Sequence, residues 1–133
     1  YEILIGLVGS EMCIRDSMLS VHYYDPYNFT LNDQDTEEWD GDTDYISSQM
    51  QKISAFASGL NMPVIIGEYG AIDKDNLDSR YDYLDQLNTI AELYKIVTAY
   101  WDNGYDGPNG FALFDRATNS LTENGDYLLG AIV

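Results

Sequence analysis

The sequence predicts an α/β fold built on a parallel β-sheet. Three short β-prone runs are separated by two amphipathic helical segments, so strands and helices alternate along the 133 residues. Polar and aromatic side chains follow each β-prone run, at the ends where parallel sheets bind their ligands. The length and a hydrophobic content of 45% fit one compact domain or a piece of a larger one.

The first β-prone run covers residues 18–24, MLSVHYY, and stops at Asp25 and Pro26. Proline cannot donate to a sheet and turns the preceding residue away from helix, so the chain is expected to turn there. A polar loop rich in acids is predicted over residues 28–44. Its acids lack the spacing of a calcium-binding EF-hand, so we expect a solvated run of charge and no metal site.

The first helix is predicted to begin at a cap on Asp42 or Thr43 and to end at Gly59. Its apolar residues recur at helical spacing and share one face. These residues are Ile46, Met50, Ile53, Ala57 and Leu60. The second strand follows at residues 64–66 and stops at Gly67; its three apolar residues are typical of a strand buried on both faces.

The second helix is predicted to begin at a cap on Asp78 or Ser79. Its apolar face comprises Leu84, Leu87, Ala91 and Tyr94. The third strand is predicted at residues 96–101, and a loop begins at Asp102. The strands should lie side by side and parallel, with both helices on one face, because βα crossovers are right-handed.

The C-terminal part of the chain is predicted to hold a glycine-rich loop, a short apolar run and a last helix. The loop covers residues 104–110 and the apolar run residues 111–114. The last helix is expected from Asp126 through Val133, where apolar residues return.

Residues 1–17 are interpreted separately. The stretch 7–17, LVGSEMCIRDS, resembles the translation of a transposon-based sequencing adapter, so we predict a non-native leader. The native alternatives are a barrel strand at residues 3–8 and a secretory signal. A signal is disfavoured because no Lys or Arg precedes the apolar run and no A-x-A site follows it. The domain proper then comprises residues 18–133, and Cys13 carries no functional meaning.

Composition disfavours several classes of function. The net charge of −17 argues against binding to nucleic acids and to anionic membrane surfaces, which both require Lys and Arg. The single cysteine cannot form an intrachain disulfide. The sequence lacks the G-x-G-x-x-G motif that would indicate a dinucleotide cofactor. Twelve Tyr, two Trp and four Phe, together with the excess of acids, favour a neutral polyhydroxylated ligand such as a glycan.

Four segments carry a resemblance to a known family: VHYYDPYNF (21–29), PVIIGEYGA (63–71), YWDNG (100–104) and GFALFDR (110–116). In this order and spacing they resemble glycoside hydrolase family 5, and most closely its endo-β-1,4-glucanase (cellulase) branch. The resemblance implies a (β/α)8 TIM barrel. Residues 18–133 would supply about the sixth to eighth strands of that barrel.

The resemblance also implies roles for residues at the strand ends. Glu68 matches the catalytic nucleophile, His22 and Tyr24 match a His-x-Tyr pair, and Trp101 matches the aromatic floor under the sugar at the cleavage point. The chemistry agrees, since a retaining glycosidase needs a carboxylate nucleophile. A tyrosine hydroxyl such as that of Tyr24 could hydrogen-bond this carboxylate and keep it ionised. Asn103 is a further candidate for binding sugar hydroxyls.

Some alternatives stay open. Trp39, within the predicted acid-rich loop, is expected either to contact a distal sugar or simply to pack. A mannanase or xyloglucanase of the same fold, or a non-catalytic glycan-binding module, would use a similar aromatic platform. The family's acid/base is a Glu in an Asn-Glu-Pro setting, and no Asn-Glu pair occurs in this chain. We therefore expect the C-terminal part of a secreted, monomeric, cofactor-free enzyme acting on a β-glucan, inactive by itself.

Overall fold

The structure, a computed structural model, describes residues 3–4 and 17–133. Its main sheet has four strands in the order β1-β2-β3-β4. They are β1 (Ile3–Leu4), β2 (Leu19–Tyr23), β3 (Val64–Tyr69) and β4 (Val97–Tyr100). Strands β2, β3 and β4 are parallel neighbours, which confirms the predicted arrangement.

Strand β1 pairs antiparallel with β2, which does not fit the alternative of a parallel barrel strand at residues 3–8. The rest of that run, and most of the predicted leader, lie outside the described residues.

Two long helices, α2 and α3, connect the parallel strands. The helices are α1 (Tyr27–Thr30), α2 (Thr43–Gly59), α3 (Leu77–Leu93) and α4 (Glu123–Leu129). As predicted, Asp42 caps α2: its carboxylate accepts the backbone N–H of Tyr45 at 3.0 Å. Helix α3 begins earlier than predicted, at Leu77, so Asp78 and Ser79 already lie in its first turn.

Several local predictions are corrected. Strand β3 continues past Gly67 to Tyr69, and α4 ends at Leu129, before the predicted Val133. The region 28–44 is not all loop, because α1 forms one helical turn that contains the buried Phe29. Residues 31–42 remain as the acidic loop. Helix α4 begins before Asp126, because the hydroxyl of Thr122 accepts the N–H of Gly125 at 2.8 Å and caps it. A hairpin of β5 (Phe114–Asp115) and β6 (Ser120–Leu121), absent from the sequence prediction, precedes this helix.

The core lies between the sheet and helices α2 and α3. Both helices bury the predicted apolar faces, except that Leu60, beyond the last turn of α2, is exposed and Tyr94 is half-buried. In β3, Ile65 is half-buried while its neighbours Val64 and Ile66 are buried, so this strand is less enclosed than predicted. Strand β2 buries alternate residues, which turns His22 to the face opposite the core.

No helix within residues 17–133 is long and apolar enough to cross a membrane.

Candidate active site

The carboxyl ends of β2 and β3 bring three predicted site residues together. The register of these parallel strands pairs His22 directly with Glu68. Gly67 makes the close approach possible, because a Cβ atom at this position would lie 2.8 Å from the hydroxyl of Ser20 on β2. Tyr24 follows β2 by one residue, so its side chain points to the same face as that of His22.

The carboxylate of Glu68 contacts both partners through one oxygen. The hydroxyl of Tyr24 donates a hydrogen bond to Oε2 at 3.1 Å, and Nδ1 of His22 lies 3.3 Å from the same atom. The predicted proximity of Tyr24 to Glu68 is thereby confirmed. Neither contact involves Oε1, and the side chain is half-buried. Both partners therefore hold one oxygen, Oε2, in place.

Tyr24 acts as a hydrogen-bond donor to this carboxylate over the ordinary pH range. Burial, followed by the negative charge of Glu68, raises the pKa of Tyr24 well above its usual value. The phenol therefore stays protonated. The bond to Oε2 of Glu68 is therefore donated by a neutral hydroxyl.

The third strand presents Trp101 at the same edge of the sheet. Its backbone N–H donates to the carbonyl of Tyr69 at 2.9 Å, which ties it to the end of β3 next to Glu68. The side chain is 42% exposed. An indole face of this kind can pack on the C–H side of a sugar ring.

The structure gives Asn103 a different task from the predicted sugar contact. Its Oδ1 accepts the backbone N–H groups of Tyr105 at 3.0 Å and Phe111 at 3.1 Å. This oxygen is therefore used inside the loop after β4, and a contact with sugar hydroxyls could come only from Nδ2.

Of the two alternatives predicted for Trp39, a distal sugar contact or packing, the contacts of its ring favour packing. The indole packs against Phe29 and Tyr83, with ring centroids 5.9 and 5.2 Å apart. Its Nε1–H donates to Gln86 of α3 at 2.7 Å. The ring thus fills space between the acidic loop and α3.

A buried arginine that was not predicted from the sequence lies beside the site. Arg80 is 2% exposed; its Nε donates to the carbonyl of Ala71 at 3.1 Å, and its guanidinium lies 3.5 Å from Asp73. It belongs to the buried face of α3, since it precedes Leu84 by four residues. That spacing is the signal that could have identified it.

Among residues 17–133, no group of three or more His, Cys, Asp or Glu side chains is arranged to hold a metal ion. The strand ends bring together a carboxylate, an imidazole and a phenol, with an exposed indole at the same edge of the sheet.

Comparison with protein families agrees with this geometry. A family model described as Cellulase (glycosyl hydrolase family 5) matches residues 15–107. Endoglucanase A of Paenibacillus barcinonensis is 35% identical, over 80% of this chain and 31% of that protein. A xyloglucan-specific endo-beta-1,4-glucanase of Bacteroides ovatus is 34% identical, over 75% of this chain and 24% of that protein.

Solved structures show the same likeness. A GH5-4 broad specificity endoglucanase from Clostridium acetobutylicum superposes with a TM-score of 0.78 and 30% identity, over 87% of this chain and 36% of that one. Another, from Ruminococcus champanellensis with bound cellotriose, gives 0.74 and 28%, over 93% and 39%. The described strands and helices are therefore part of a (β/α)8 barrel. The chain spans about a third of the length of these relatives.

Proposed function

The chain belongs to glycosyl hydrolase family 5, and we propose that it supplies the nucleophile half of the active site of a retaining β-glucanase. One observation carries the proposal. Glu68, the next-to-last residue of core strand β3, has its carboxylate held at 3.1 Å by Tyr24 and at 3.3 Å by His22. An exposed tryptophan follows the neighbouring strand β4. This is a carboxylate fixed by two partners near a strand end, and nucleophilic attack on a sugar requires a positioned carboxylate.

In this mechanism Glu68 attacks the anomeric carbon of a bound glucan. A carbon–oxygen bond forms to Glu68 as the glycosidic bond breaks, and an acid on the opposite side protonates the departing oxygen. Water then attacks the glycosyl-enzyme and restores the carboxylate, so the anomeric configuration is retained. Tyr24 stabilises the charge before attack and after release, while His22 fixes the orientation of the carboxylate.

The acid/base is proposed to lie on a part of the enzyme that this chain does not contain. The sequence has no Asn-Glu pair, and the relatives are about three times as long. A complete barrel takes about 250 residues. Without an acid, bond cleavage would be slower by roughly 10²- to 10⁴-fold, so the chain alone should not turn over glucan at an enzyme-like rate.

The proposed substrate is a β-1,4-glucan of the cellulose type. Several relatives are named endoglucanases, and Trp101 offers an apolar surface for a pyranose ring. One relative is named a xyloglucan-specific endo-beta-1,4-glucanase, which makes xyloglucan the second candidate. Because such polymers lie outside cells, we propose that the full-length enzyme is secreted. We also propose that it is monomeric and uses no cofactor.

The test is to recover the complete gene and assay the full-length protein on carboxymethyl-cellulose, xyloglucan and mannan. The proposal expects cleavage of a β-1,4-glucan, with the first product in the β-configuration when followed by proton NMR. A product with inverted configuration would contradict the role of Glu68. Binding without cleavage would indicate the glycan-binding module instead, and cleavage of mannan alone would indicate a mannanase.

A further inference from the structure

The loop that follows β4 folds back onto the site through two side chains at its start. Oδ2 of Asp102 accepts the backbone N–H groups of Leu113 at 3.0 Å and Phe114 at 3.2 Å. Asn103 accepts the N–H of Phe111 at 3.1 Å. These three bonds fasten the end of the loop to its beginning, so Phe111 returns to the carboxyl end of the sheet.

The return is further fixed at Gly110. A Cβ atom there would lie 2.0 Å from the carbonyl oxygen of Tyr105, so only glycine fits. The carbonyl of Gly110 accepts the N–H of Asp73 at 3.0 Å, and the N–H of Ala112 donates to Tyr105 at 3.2 Å. The backbone on both sides of Phe111 is therefore tied to its own loop and to the loop that follows β3.

The ring of Phe111 lies against the support of the nucleophile. It is 7% exposed and meets the ring of Tyr24 edge-on, with centroids 6.4 Å apart and planes at 74°. It also lies against Gly70, where an added Cβ atom would come within 3.0 Å of the Phe111 ring. Gly70 is two residues beyond Glu68. The ring of Phe111 therefore contacts both Tyr24, which donates the hydrogen bond, and the end of β3, which carries the accepting carboxylate.

A buried network holds Phe111 from the other side. The hydroxyl of Tyr100 donates to the carbonyl of Phe111 at 3.0 Å. Burial raises the pKa of Tyr100 to about 12, so this donor stays protonated. Arg80, which also binds the carbonyl of Ala71, reaches the same hydroxyl at 3.5 Å.

We propose that Phe111 is a positioning residue that keeps the Tyr24 hydroxyl on the carboxylate of Glu68. This inference rests on the proposed role of Glu68 as the nucleophile. A smaller side chain at position 111 would leave space into which the Tyr24 ring can tilt, and hydrogen bonds weaken steeply with misalignment. Loss of Phe111 should therefore act on the chemical step through Tyr24, with little effect on binding of the glucan.

The test is a double-mutant cycle in the full-length enzyme, with Phe111→Leu, Tyr24→Phe and the double variant. Phe111→Leu should lower kcat about tenfold and change KM less than about twofold. In the Tyr24→Phe background it should cause no further loss of kcat, because the bond it protects is already gone. The matched control is Phe114→Leu, three residues further along at the start of β5 and 46% exposed, which should leave kcat unchanged.

The outcomes separate the claims. If Phe111→Leu lowers kcat equally in the wild-type and Tyr24→Phe backgrounds, Phe111 does not position Tyr24. An equal loss of kcat in Phe114→Leu would likewise overturn the positioning role. Neither result would affect the assignment of Glu68 as the nucleophile. A wild-type enzyme that cleaves no glycoside would overturn the proposed function and this inference with it. If Phe111→Leu does not fold, Phe111→Met, which nearly preserves side-chain volume but not the flat ring, replaces it in the cycle.

Discussion

Two loops at the carboxyl end of the sheet each carry a tryptophan, and the two rings lie in opposite environments. Trp101 directly follows β4, and its side chain is 42% exposed. Trp39 lies in the acidic loop, where its ring packs on Tyr83 and its N–H is satisfied by Gln86. One ring is open to a ligand and the other is part of the packing.

The difference shows that the distance from a strand end, more than the residue type, decides which side chains can serve a site. Trp101 cannot turn inward, because the register of β4 and its bond to Tyr69 fix its backbone. The acidic loop is not part of the sheet, so side-chain contacts fix its path instead. Lys74 donates to the carbonyls of Asn32 and Thr36 and so binds the loop to the rest of the chain. We call His22, Tyr24, Glu68 and Trp101 the strand-end cluster and expect the chemistry there.

The largest expected effect contrasts one carboxylate from each region. In the full-length enzyme, Glu68→Gln should lower kcat by roughly four orders of magnitude or more, because an amide cannot attack the anomeric carbon. Glu38→Gln, an exposed acid of the acidic loop, should stay within about twofold of wild type. Steady-state rates on carboxymethyl-cellulose measure both. Similar losses in the two variants would break the distinction between the regions.

The two tryptophans should respond in opposite ways to alanine substitution. Trp39→Ala should lower the free energy of unfolding by about 3 kcal/mol, because it empties a packed site, and leave KM unchanged. Trp101→Ala should raise KM about tenfold and change the free energy of unfolding by less than about 0.5 kcal/mol. Urea unfolding measures the free energy of unfolding, and steady-state kinetics on the same samples measure KM. A higher KM in Trp39→Ala would restore the distal sugar contact that the structure disfavours.

A smaller effect is expected from the hydroxyl of Tyr24. Tyr24→Phe keeps the ring and removes the bond to Glu68, so kcat should fall roughly ten- to a hundredfold, the range for hydrogen bonds to charged groups. Tyr127→Phe removes a hydroxyl that also bonds a carboxylate, that of Asp78, but on the surface. That control should leave kcat within about twofold of wild type. Equal activity of wild type and Tyr24→Phe would show that the 3.1 Å bond does not matter to catalysis.

The smallest effect is a pH dependence of stability that reports on the strand end before Trp101. Burial raises the pKa of Tyr100 from 10.0 to about 12, so the folded state holds this proton more tightly than the unfolded state. Its contribution to stability is complete below pH 10 and is lost as the pH rises through about 12. Tyr100→Phe should therefore lose less stability between pH 9 and 11 than wild type does, in urea unfolding. An unchanged loss would show that Tyr100 is not buried as described.

The features that sequence analysis predicted are those fixed by local chemistry or by strand ends. The cap at Asp42 and the buried face of α2 follow from residues within one or two turns of each other. Glu68 follows an apolar run and lies between two glycines, and the resemblance to glycoside hydrolase family 5 singles it out as the nucleophile. Parallel strands place such residues at one edge, so the proximity of Tyr24 to Glu68 needed no long-range information beyond strand order.

The features that it missed depend on partners that are distant in sequence. The indole N–H of Trp39 donates to Gln86, which lies 47 positions away, and the residues near Trp39 do not predict this partner. From the sequence, Oδ1 of Asn103 could accept a hydrogen bond from a sugar hydroxyl or from a backbone N–H. In the structure it accepts the backbone N–H of Phe111. From the sequence, Phe111 is only one member of an apolar run, and the run itself gives no sign of its contact with Tyr24.

The most direct test of the central claim is to trap the nucleophile. The full-length enzyme is incubated with a 2-fluoro cello-oligosaccharide carrying a good leaving group, digested, and the labelled peptide is sequenced by mass spectrometry. We predict one glycosyl label, on Glu68, and none in the Glu68→Gln variant. A label on another carboxylate, or time-dependent labelling that persists in Glu68→Gln, would contradict the assignment of Glu68 as the nucleophile.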